Sequence, residues 1–155
     1  MVKRTWYNWD INDIHKLLPI MQIYARIYVK SKKKIVIVSK DWLHWQMPWG
    51  KPEEWETVFG TLHREIYEET SINICKNYNP KLFGYYYIEE DGAKYLQVRY
   101  SIEIDNIDSE YLKPTEETSS DSINFVKLVT IDEIPTIIPR LQNSWEFSSF
   151  NGIII

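Results

Sequence analysis

Gly50, Glu56, Arg64, Glu65, Glu68 and Glu69 have the types and the spacing to hold a hard divalent cation. Gly50 and Glu56 come first, followed by the run Arg64-Glu65-Ile66-Tyr67-Glu68-Glu69-Thr70-Ser71-Ile72. Val58, Leu62 and Ile66 recur every four residues, which predicts a helix with one apolar face that ends near Thr70. On that helix Glu65, Glu68 and Glu69 stand at i, i+3 and i+4, so their carboxylates project from the same side. Like charges crowded on one face repel, and folding alone gives no reason for them. A cation that prefers oxygen ligands turns that repulsion into binding.

The pattern resembles the signature of the Nudix hydrolases: a glycine, a glutamate, then Arg-Glu-apolar-any-Glu-Glu-any-Gly-apolar. Gly50, Glu56, Arg64, Glu65, Ile66, Glu68, Glu69 and Ile72 match it, and Ser71 stands where the family has its last glycine. A glycine just past a helix end usually takes the left-handed conformation, and serine in that place carries roughly 1 kcal/mol of strain. Upstream, Met47-Pro48-Trp49-Gly50 replaces the family's Pro-Gly-Gly.

The resemblance implies an α+β fold, the Nudix α/β/α sandwich with a mixed β-sheet, over roughly residues 20–150. It implies attack by water on a phosphorus atom of a diphosphate bridge, with Mg2+ or Mn2+ neutralising the phosphates and lowering the pKa of bound water. Glu65, Glu68 and Glu69 are the expected metal ligands. The Trp49 backbone carbonyl, in the place of a ligating glycine carbonyl, and Glu116 and Glu117 in a later loop are further candidates. One of the helix glutamates, or a glutamate from a later loop, would be the general base. Glu56 and Arg64 complete the catalytic set, with Arg64 orienting a neighbouring glutamate and Glu56 as its partner.

The elements that must position these groups follow from the rest of the chain. Residues 1–20 read as an aromatic extension, with Asp10 or Asn12 able to cap a short helix that Pro19 stops. Trp6 and Trp9 are expected to pack the domain edge or a second subunit. Ile23 to Val29 and Ile35 to Val38 are β-branched strands joined by the lysine turn Lys30-Ser31-Lys32-Lys33-Lys34. A short strand from Trp45 to Pro48 leads into Gly50. Leu82 to Glu89 and Lys94 to Ile104 flank Asp91-Gly92, a hairpin signal. Lys113 to Ser122 reads as loop, Ile123 to Val129 as a last strand, and a helix carrying Leu141, Trp145 and Phe147 is expected after Pro139.

A chain of 155 residues without repeats or linkers is expected to form a single domain over 1–155. Its 44% hydrophobic and 26% charged residues are globular in balance. A net charge of -4 argues against broad nucleic-acid binding, a capped RNA end excepted. Cys75 is the only cysteine, so no intrachain disulfide forms. With no apolar run long enough for a signal peptide or a membrane span, a cytoplasmic protein is expected.

Substrate contacts are expected from Lys40 as a phosphate partner and from Trp42 and Trp49 as stacking surfaces, with Gly50 and Lys51 beside them. Trp45 is expected to fill core. Arg99 belongs to one face of its strand, with Tyr95, Gln97, Ser101 and Glu103, a face that turns either to substrate or to water. The expected function is divalent-metal-dependent cleavage of a nucleoside diphosphate linked to another group: a nucleoside triphosphate, a dinucleoside polyphosphate or a nucleotide sugar. The alternative is a nucleotide-sensing module that binds without turnover. A nucleotide-type small molecule is the expected partner, a homodimer is compatible with the sequence, and no membrane contact is expected.

Overall fold

Helix α1 (Val58–Thr70) forms where the four-residue apolar spacing places it. In this computed structural model, which describes residues 1–8, 18–74, 78–115, 122–148 and 150, α1 lies on one face of an eight-stranded mixed sheet. The strands are β1 (Val2–Asn8), β2 (Ile20–Val29), β3 (Lys34–Ser39), β4 (Trp45–Gln46), β5 (Trp49–Gly50), β6 (Lys81–Glu90), β7 (Ala93–Ile104) and β8 (Phe125–Thr130). Their order is β1-β6-β7-β2-β3-β4, with β5 pairing to β2 and β8 to β3. Only β2 and β7 run parallel among the paired strands described; the other pairs are antiparallel.

Period-two alternation along β2 divides the core. Ile23, Ala25, Ile27 and Val29 join Leu62 and Ile66 of α1 in one cluster. Tyr24 and Tyr28 face the opposite side with Ile134, Ile138, Leu141 and Phe150. The sheet is therefore sandwiched between α1 and the C-terminal segments. Asp91 and Gly92, at φ 50° and 83°, close the β6–β7 hairpin in the left-handed conformation that this turn requires.

Two expectations need correction. Residues 2–8 are a full strand, paired with β6 from Val2↔Glu90 to Asn8↔Gly84. Trp6 packs against Phe83 and Tyr86, at the sheet edge as expected. The C-terminal segment is not one helix after Pro139. It breaks into a 3₁₀ turn at Ile131–Glu133, α2 (Ile134–Ile137), a second 3₁₀ turn at Pro139–Leu141, and α3 (Trp145–Ser148). Pro139 has no N–H to continue α2, and Asn143 at φ 58° turns the chain before α3. The helix suggested near Asp10 and Asn12, and the middle of the 113–122 loop, lie outside the described residues.

Ser71 caps α1 in the left-handed conformation, at φ 66° and ψ 10°, with its N–H donating to the Tyr67 carbonyl. Its hydroxyl also donates to the Lys113 carbonyl, a bond glycine could not make. Relief of strain and loss of that bond are each worth about 1 kcal/mol. Ser71→Gly is therefore expected to leave the thermal midpoint nearly unchanged. A large upward shift in thermal unfolding would show that the hydroxyl contributes nothing.

Candidate active site

The start of α1 fixes one end of the site. Thr57 accepts from the Gly60 N–H at 2.9 Å as the helix N-cap, with Glu56 one residue before it. From there Glu56 reaches Arg64 two turns along, in a two-pronged pair: Nε to Oε2 at 2.7 Å and Nη2 to Oε1 at 3.0 Å. The Thr61 hydroxyl and the Glu53 N–H also donate to Glu56. Arg64 foremost among them lowers the Glu56 carboxyl to about 2.

Arg64 is then aimed at the helix acids. Its Nη1 donates to Glu65 Oε1 at 2.7 Å and to Glu68 Oε2 at 3.3 Å, and its Nη2 to the Lys51 carbonyl at 3.1 Å. Glu56 is the partner the sequence reading named for Arg64. Glu53, 3.8 Å from Arg64, was not singled out there, because an acid in a loop carries no periodicity to mark it.

Glu69 occupies a different environment. It is 9% exposed, and its one described hydrogen bond comes from the Trp49 N–H at 3.3 Å. Burial, and then the charges of Glu65 and Glu68, push its carboxyl up to about 9. Gly50 completes the wall: a methyl built there would overlap Cγ, Cδ and Oε1 of Glu65. The acid packs where only hydrogen leaves room.

Glu65, Glu68, Glu69, Arg64, Trp49, Gly50, Lys51 and Lys40 all line one cavity of about 570 Å³, with Gln46 and Ser122 among its other walls. In this arrangement Arg64 draws off Glu65 and Glu68, and among the described residues no three acids or imidazoles converge as a metal-holding cluster. The donor set nonetheless fits a hard cation. Three carboxylates share the cavity, and burial and then its like-charged neighbours raise the carboxyl of Glu69, an effect that a cation would reverse.

Other expected site residues fall elsewhere. Trp42 is not among the walls of this cavity; it packs edge-on against Trp45 and Phe125, at 4.9 and 5.2 Å. Trp45 is buried, as expected of a core residue. Arg99 opens on a second cavity, on the sheet face away from α1. Glu116 and Glu117 lie outside the described residues.

The NUDIX domain family matches residues 22–148, most of the chain. The chain belongs to the Nudix family. No curated protein sequence matches it. Among solved structures, the Nudix chain resembles the C. elegans Ap4A hydrolase at 15% identity and TM-score 0.61, covering 87% of this chain and 97% of that one. It resembles the Bacillus subtilis pyrophosphohydrolase BsRppH at 15% identity and TM-score 0.59, covering 81% and 72%. It also resembles the Nudix domain of Shewanella oneidensis NrtR, solved with ADP ribose, at 14% identity and TM-score 0.53, covering 81% and 82%. These likenesses extend the fold assignment. The departure of this Nudix chain at Trp49 also has a local account: the indole stacks on Tyr24, centroids 5.4 Å apart and planes 13° apart.

Proposed function

We propose that this Nudix protein is a divalent-cation-dependent hydrolase that splits the diphosphate linkage of a nucleoside diphosphate derivative. The observation that carries the reading is the single cavity shared by Glu65, Glu68 and Glu69, with Arg64 braced behind them by Glu56. Glu65, Glu68 and Glu69 would hold Mg2+ or Mn2+, with the Trp49 carbonyl as a further donor. When bound, the cation neutralises the diphosphate and lowers the pKa of water beside it. Arg64 hands over Glu65 and Glu68 while Glu56 keeps its guanidinium in place. Lys40 and Lys51 add positive charge at the rim for the phosphates. A carboxylate of the cavity takes the proton of the attacking water.

The similarity to an Ap4A hydrolase and to a pyrophosphohydrolase supports this reaction class. The similarity to a Nudix domain solved with ADP ribose keeps a nucleotide-binding module without turnover as the second reading. The deciding experiment measures phosphate and monophosphate release from nucleoside triphosphates, ADP-ribose, nucleotide sugars, dinucleoside polyphosphates and capped RNA. Each is run with magnesium, with manganese and with chelator. Cleavage of one class that stops in chelator is the expected result. Silence across the panel, with tight nucleotide binding retained, would select the binding module.

A further inference from the structure

Beyond Trp49 the chemistry reverses sign. On the sheet face away from α1, Arg99 of β7 lies between two rings, its Cζ 3.7 Å from the Tyr24 centroid and 4.9 Å from that of Tyr86. Tyr24 in turn stacks on Trp49. A cavity of about 360 Å³ opens against this stack. Arg4 from edge strand β1 and Arg140 from the 3₁₀ turn before α3 join Arg99 in its walls, with Gln97 beside them. Trp49 is a wall of both this cavity and the acidic one.

Structure alone does not account for the three guanidiniums. Arg99 is 3% exposed and needs a partner, which it has: its Nε donates to Glu146 at 2.8 Å. Arg140 donates to the same carboxylate at 3.1 Å. Glu146 is itself 2% exposed and is not among the walls of this cavity. No acid is among the described walls. Among the described residues, three guanidiniums line the cavity and one carboxylate outside its walls is bonded to two of them, which leaves a net positive charge beside an aromatic cavity. Like charges brought together from three distant segments repel unless an anion joins them. A phosphate is the group whose oxygens match the planar fork of arginine.

We propose that this cavity binds a phosphate that the substrate carries outside the diphosphate being cleaved. The inference rests on the acidic cavity being the cleavage site, as read above. It narrows the substrate class to nucleoside diphosphate derivatives with an additional phosphate ester. The diphosphate lies on the acidic side of Trp49 and the extra phosphate on the basic side, and the indole separates the two.

The test uses two matched pairs that differ by one remote phosphate: NADPH against NADH, and coenzyme A against dephospho-coenzyme A. The wild-type protein is expected to favour the phosphate-bearing member of at least one pair about tenfold in kcat/KM, mainly through KM. Arg4 and Arg140 are both exposed walls of the cavity, so the Arg4→Gln, Arg140→Gln double variant is expected to fold. In that variant the ratio collapses towards one, whereas Arg140→Lys keeps part of it. Equal rates within both pairs, or a ratio that survives the double variant, would overturn the inference. The same pairs are titrated by calorimetry in chelator. Discrimination in binding without turnover would unseat the hydrolase reading and leave this one standing; turnover without discrimination would do the reverse. Failure of all four ligands to bind would also overturn it.

Discussion

Glu69→Gln is expected to lower turnover by orders of magnitude and, in the absence of cation, to make the protein more stable. The two effects have one origin. Glu69 is buried beside Glu65 and Glu68, and its carboxyl is raised from 4.5 to about 9. The folded protein therefore keeps a proton that the unfolded chain releases above pH 4.5. Between that value and about 9, the native state binds more protons than the unfolded state, so stability falls as pH rises. At pH 7 the cost of this is roughly 3 kcal/mol, at 1.36 kcal/mol per unit. Glutamine keeps the shape and has no proton to lose.

Urea unfolding in chelator from pH 5 to 9 is expected to show a falling profile for the wild type and a flat, higher one for Glu69→Gln. Saturating magnesium is expected to lift the wild type alone, because the cation takes the place of the proton. The catalytic loss is expected to be roughly a thousandfold, the scale of removing an anionic ligand from a metal site. A flat wild-type profile would mean that burial and the like charges do not raise this carboxyl. Near-normal turnover in the variant would remove Glu69 from the cation-holding set.

The acidic half of the molecule was legible in the sequence because its information is local. Val58, Leu62 and Ile66 set the helix phase, and that phase puts Glu65, Glu68 and Glu69 on one side without any tertiary knowledge. The Glu56–Arg64 pair joins a residue ahead of the helix cap to one on the helix, and the resemblance, not the spacing, suggested it. β1 was not legible: Val2–Asn8 takes its hydrogen bonds from β6, far along the chain, and reads as an extension until its partner is known. The break-up of the C-terminal segment depends on where Ile134, Ile138 and Leu141 find room against the sheet. The basic cavity was least legible of all. Arg4, Arg99 and Arg140 come from an edge strand, a central strand and a 3₁₀ turn, and no spacing links them. Only Arg99 drew notice, through alternation along β7, and alternation cannot say what faces it.

The second large effect is expected at a residue with no functional group. Gly50→Ala should lower kcat on the order of a hundredfold while leaving the fold intact. The added methyl would occupy the space that holds Cγ, Cδ and Oε1 of Glu65. The obstruction is a flexible side chain and not backbone, so the fold can yield where the glutamate moves. Gly50 pairs with Ile23 in the short β5 ladder, and alanine is compatible with that strand conformation. What cannot be kept is the carboxylate position: Glu65 must swing away from the cavity or give up its 2.7 Å bond from Arg64. Reacting groups displaced by about 1 Å lose rate on this scale. The control is Gly50→Ala combined with Glu65→Ala. If the methyl acts only by displacing Glu65, the double variant is no slower than Glu65→Ala alone, and the two losses fail to add. Additive losses would show that the methyl obstructs the substrate itself, and unaltered turnover in Gly50→Ala would show that the position of Glu65 does not matter.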